Sequence, residues 1–184
     1  MKTKNGLTYL FLLFLLSTSA NAEIEKSSLS CETGFCLYWW PKLPVITGWQ
    51  QDRDQSYNYH INALAPTGST FSNAETVMYA NAIYKPRSPK DKTLKIFIQG
   101  DKEQAQKNHP DIQILKAADL VTADGKKLPS FTFFPTTEGN WERVSYADEG
   151  DFYLIFTLSA RTKAGYDKAV LDYQTLIKNY KEKP

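Results

Sequence analysis

A single α+β domain, with helices packed on an antiparallel sheet of about five to seven strands, is the architecture this chain predicts. Three observations predict it. The stretch 141–180 reads as strand, turn, strand, helix. Asp124 and Gly125 sit between two apolar runs, the pattern of a tight hairpin. A helix-favouring segment around 101–107 separates that hairpin from an earlier group of strands. Within the closing stretch, Trp141, Val144 and Tyr146 lead into Asp148-Glu149-Gly150, where glycine supplies the positive φ of a turn. Residues 152–158 are aromatic, β-branched or leucine throughout, as in a central strand covered on both faces. Tyr166, Ala169, Val170, Tyr173, Leu176, Ile177 and Tyr180 then recur every three or four residues, so an amphipathic helix is predicted to cover that strand.

The N-terminus reads as a secretory leader. Lys2 and Lys4 precede the apolar run 10–16, and Ala20-Asn21-Ala22 forms an A-x-A cleavage site. The run is shorter than the roughly 20 residues needed to span a bilayer. Cys31 lies too far from it for a lipoprotein signal, with Glu23, Glu25 and Lys26 between. The organisation predicted is a signal peptide over 1–22, a disulfide-bearing aromatic segment over 23–48 and the α+β domain over 49–184. Two of the 22 basic side chains belong to the leader and none of the 20 acidic ones, so the remainder is balanced. That balance gives no reason to expect nucleic acid or an anionic membrane as partner. No second apolar segment of spanning length follows, so a protein of the periplasm or the exterior is predicted.

Cys31 and Cys36 are the two cysteines. In an oxidising compartment they predict one disulfide closing a short ring. A redox pair usually reads C-x-x-C, and a metal needs about two more ligands than this pair offers. Tyr38, Trp39, Trp40 and Trp49 cluster beside them as candidate binding residues; they suit either an exposed platform or the lid of the core. Residues 57–63 alternate polar and apolar and predict a strand with His60 on its solvated face. Pro66-Thr67-Gly68 marks a turn, and 75–84 a second, broadly apolar strand. After the basic loop 85–90, Asp91 or Thr93 caps a predicted helix with Leu94, Phe97, Ile98 and Ala105 on one face, ending by His109-Pro110. Strands over 112–121 and 128–134 flank the Asp-Gly turn.

The sequence shows no nucleophile elbow, phosphate-binding glycine loop, zinc-protease motif or EF-hand loop. Asp148, Glu149 and Asp151 fall in a turn, where acids usually serve solubility. No catalytic residue, metal site or cofactor is therefore assigned, which leaves a site scattered along the chain as the route to an enzyme.

The order of exported leader, paired strands, helix, two hairpins and closing helix resembles the PsbP-like α/β/α sandwich family. Val144-Ser145-Tyr146, the turn at Glu149-Gly150, the strand 152–159 and the helix from Tyr166 to Tyr180 carry the resemblance, which covers 49–180. The segment from Cys31 to Trp49 has no counterpart in that pattern. The resemblance implies a non-catalytic binding or accessory role and transfers no site residues. The expectation is an exported binding or accessory protein of the bacterial envelope, with a protein or envelope component as partner. A small periplasmic hydrolase or lyase and an inhibitor or immunity protein against an exported toxin are the alternatives.

Overall fold

The computed structural model describes residues 24–32, 34–137 and 139–182, with Cys31 described by its backbone alone. The leader expected over 1–22 lies outside these residues. Strands β1 (Ile24–Cys31) and β2 (Gly34–Pro41) form a separate two-stranded hairpin. There follow β3 (Trp49–Gln51), α1 (Arg53–Tyr59), β4 (Asn62–Pro66) and β5 (Thr76–Tyr84). Then come α2 (Leu94–Asn108), β6 (Gln113–Val121), β7 (Lys127–Phe134), β8 (Trp141–Glu149), β9 (Phe152–Ala160) and α3 (Lys163–Asn179).

Strands β3 to β9 make one antiparallel sheet in the order β3-β4-β5-β9-β8-β7-β6. The chain is thus an α+β domain. The doubly apolar strand β9 is central, paired along its length with β5 and β8. Alternate residues of the sheet feed two cores. On one face Met78, Ala80, Leu154, Phe156 and Leu158 pack with Tyr166, Ala169, Tyr173, Leu176 and Ile177 of α3 and with Tyr180. On the other, Phe133, Val144, Tyr146 and Tyr153 pack with Phe97 and Ile98 of α2. Thr93 caps α2 by accepting from the Ile96 N–H, and Thr162 caps α3 by accepting from the Gly165 N–H. Gly125 and Gly150 take φ of 83° and 49° at the two hairpin turns.

Two segments depart from the sequence reading. Residues 53–59 are helical where a strand was predicted from 57. The Asp52 carboxylate caps that helix from below, accepting from the Gln55 N–H. Ser56 is the residue α1 buries; its hydroxyl donates to the Asp52 carbonyl at 2.7 Å and accepts from the Ala63 N–H at 3.0 Å. His60 ends α1 in the left-handed region with φ 60°, so it caps a helix and does not lie on a strand face. The second departure is the N-terminal segment 23–48, for which no strand was predicted. It pairs with itself as β1–β2, and β2 packs beside β5. Among the described residues, no helix is long and apolar enough to cross a membrane.

Candidate functional site

Sheet register builds the site. Val77 of β5 stands opposite Ser159 of β9, and Ser159 stands opposite Glu142 of β8. In the next row Tyr79 faces Thr157, which faces Val144. Glu142 shares its face with Val144 and Tyr146 because side chains alternate along a strand. The α2 helix covers one end of this face. The other end opens as a cleft of about 360 Å³ lined by Tyr59, Phe71, Val77, Tyr79, Glu142 and Ser159, with Glu75 and Arg161 also lining it.

The aromatic wall is continuous. Tyr59 and Phe71 have ring centroids 5.6 Å apart, and Phe71 meets Tyr79 edge to face at 5.9 Å. Asp52 fixes this wall as well as α1, since its second oxygen accepts from the Phe71 N–H at 2.9 Å. Arg161 closes the rim, its guanidinium donating to the Ser72 carbonyl at 2.6 Å. A second lobe of about 260 Å³ shares Asn140 and Glu142 with the first and adds His109, Asp111 and Ile112.

Glu142 sits at the junction. The Ser159 hydroxyl donates to its Oε1 at 2.8 Å. Burial raises its carboxyl above the ordinary range; the Ser159 hydrogen bond opposes the rise, the Asp101 charge adds to it and His109 opposes it. Asp101 comes from α2, where Tyr146 donates to its Oδ2 at 2.5 Å, and burial raises this carboxyl too. Burial likewise raises Tyr79, with Glu142 next in effect. A perturbed carboxyl at the floor of a partly apolar cleft marks a candidate ligand site. Among the described residues no group of His, Cys, Asp and Glu could hold a metal ion.

A larger groove of about 1050 Å³ runs along the start of α2, between Leu94, Ile98, Pro129 and Phe131, with Lys90, Lys95 and Lys102 at its margins. It holds no buried titratable group, so the smaller cleft is the better-equipped site.

The aromatic residues singled out in the sequence find separate partners. Tyr38 stacks on His60 with centroids 3.6 Å apart. Trp39 stacks on Tyr84 at 5.2 Å and lies under the Arg87 guanidinium at 4.7 Å. Trp40 is 3% exposed and donates from Nε1 to Glu25 at 3.0 Å. Trp49 donates from Nε1 to Asp172 of α3, also at 3.0 Å. Cys31 pairs with Gly34 across the β1–β2 ladder, and Cys36 pairs with Leu29.

The cleft itself escaped the sequence reading. One signal could have pointed to it: Glu142 has the parity of Val144 and Tyr146, so an acid occupies an inward position of a strand otherwise buried there. The partnership with Tyr79 and Phe71 depends on β5–β9 pairing across more than 70 residues, which no local pattern reveals.

No family model matches the chain, and no curated protein does. Among solved structures it is similar to a protein of unknown function, PA94, from Pseudomonas aeruginosa. The identity is 15%, the TM-score 0.50, and the match covers 86% of this chain and 98% of that one. At that identity the likeness concerns the fold.

Proposed function

We propose that this chain is an exported binding or accessory protein of the bacterial envelope, and that it holds a small envelope component in the cleft over Glu142. The observation that carries the reading is the cleft itself: a half-buried carboxyl, a wall of three aromatic rings and a charged rim, set on the centre of the sheet. Export rests on the leader read from the sequence. A disulfide between Cys31 and Cys36 belongs to the same reading. The hairpin register brings Cys31 opposite Gly34, two residues from Cys36, and no cysteine among the described residues is free. A PsbP-like relationship belongs to this reading as well, carried by the sequence pattern over 49–180.

The test is native mass spectrometry of the full chain, expressed with its leader and recovered from the envelope fraction after exposure to the small-molecule extract of that fraction. A retained adduct, lost when Phe71 and Tyr79 are replaced by alanine in a protein that still melts cooperatively, supports the reading. Intact mass should begin at Glu23. A bare protein, or one retaining 1–22, contradicts it.

One observation favours a hydrolase or lyase as second reading: His109 lines a lobe with Asp111 and Glu142. A raised carboxyl beside a histidine can serve as general acid and base. His109 is exposed, however, and among the described residues no carboxylate is hydrogen-bonded to its ring to orient it. Turnover of a chromogenic ester or glycoside that falls with both His109→Ala and Glu142→Gln would favour this reading.

A further inference from the structure

We infer that the ligand of the Glu142 cleft is a small organic ammonium ion, with the Glu142 carboxylate as its counter-charge and the rings of Tyr59, Phe71 and Tyr79 as its wall. The inference deepens the binding reading above and rests on it.

The charge argument comes first. Glu142 accepts one hydrogen bond, from the neutral hydroxyl of Ser159, and among the described residues no lysine or arginine pairs with it. A carboxylate withdrawn from water needs a proton or a cation. The cleft can supply the cation from outside, because Glu142 lines both lobes. The remaining charges point the same way. Glu75 lines the first lobe and Asp111 the second, against the single guanidinium of Arg161. Arg161 is held at the exposed rim by the Ser72 carbonyl, and Glu75 accepts from the Thr162 hydroxyl at 2.5 Å. An anion entering this cleft would pass Arg161 at the rim and then face the Glu142 carboxyl at the floor, with Glu75 on the same lining.

The wall argument is independent. Three aromatic rings in edge or tilted contact present π-faces and edges around one lobe. Such faces attract alkylammonium groups, most of all where water is excluded, and a carboxylate beside them completes the recognition of a quaternary amine. A volume of about 360 Å³ admits a trimethylammonium group with a short tail. A zwitterion such as a betaine would place its ammonium on Glu142 and its carboxylate toward Arg161.

Glu142 is faced by Asp101 and His109 from α2 and its end, by Tyr79 from β5, by Ser159 from β9 and by Arg161 beyond it. The cation and a proton compete for its carboxylate. Affinity should therefore rise with pH as Glu142 ionises, and binding below that point should release a proton.

The experiment is titration calorimetry of the full exported chain with choline, glycine betaine, putrescine and 3,3-dimethylbutan-1-ol, the uncharged isostere of choline. The expected result is saturable binding of at least one of the three amines, with the isostere at least about tenfold weaker. Glu142→Gln should weaken the amine at least about tenfold and abolish the pH dependence. If that variant fails to fold, the same question is answered by the wild type: affinity that rises with pH supports the inference, and affinity independent of pH overturns it. Equal binding of the isostere overturns it, as does the absence of binding by all three amines at 10 mM-scale concentrations, roughly the weakest range in which specific contacts register. An uncharged adduct in the mass-spectrometric test above would leave the binding reading standing and remove this one. Loss of every adduct would remove the binding reading.

Discussion

Glu149 carries the clearest single-residue consequence of burial. The sequence places it in a turn beside Asp148 and Asp151, where acids are usually solvated, but it is 5% exposed. It closes β8 with the inward parity of Ser145 and Ala147, beneath Tyr180, whose hydroxyl donates to Oε2 at 3.0 Å. Lys126 stands 3.9 Å from Oε1, an oxygen with no hydrogen-bond partner. Burial pushes the carboxyl up to about 7, against the pull of Tyr180 and Lys126, with Glu182 and Asp124 adding to the rise. The native state therefore binds more protons at this site than the unfolded chain does between about pH 4.3 and pH 7, and stability falls as pH rises through that window. Urea melts from pH 4 to pH 9 should show the decline in the wild type, and Glu149→Gln should gain on it by a few kcal/mol, on the order of 2–3, above pH 7. A gap that does not change with pH would contradict the assignment. Trp40 gives a second residue-scale outcome: Trp40→Ala should cost about 3–5 kcal/mol, and iodide should spare its fluorescence while quenching the half-buried indoles more.

At the scale of elements, α3 and its strand show how much was legible. The 3.6-residue period named Tyr166, Ala169, Val170, Tyr173, Leu176, Ile177 and Tyr180; six are buried and Val170 is half-buried. Periodicity reads well here because one face of a helix meets one broad sheet. It misreads 57–63 because a seven-residue helix shows barely two turns, and capping by Asp52 outweighs an accidental alternation. The β1–β2 hairpin was invisible for another reason: no Asn-Gly or Asp-Gly pair stands between Cys31 and Gly34, which close its ladder. Two outcomes test the packing of α3. Leu176 is fully buried, so Leu176→Ala should cost about 2–5 kcal/mol in a denaturant melt. Tyr173 reaches through the core, where its hydroxyl donates to the Phe156 carbonyl at 2.9 Å and accepts from the Ser145 hydroxyl at 2.8 Å. Tyr173→Phe should cost about 1–3 kcal/mol by leaving the Phe156 carbonyl short of a donor and the Ser145 hydroxyl short of an acceptor. A change within error for either variant would place α3 off the sheet.

For the whole molecule, fold class and site had different legibility. Turn chemistry and periodicity announce local hairpins and helices, so the α+β class and the central place of β9 followed from the chain. The cleft is assembled from β5, β8, β9 and the loop at Phe71, elements brought together only by long-range pairing, and its acid looked like any other charge until register placed it inward. The account rests on that cleft being the place where a ligand sits. Amide chemical-shift mapping of the ¹⁵N-labelled exported chain during titrations with choline, glycine betaine and putrescine tests this most directly. The account predicts shifts concentrated at Phe71, Tyr79, Asn140, Glu142 and Ser159, fading in Glu142→Gln. Shifts centred instead on Leu94, Ile98 and Phe131 in the α2 groove, or no shifts with choline, glycine betaine or putrescine, would contradict it.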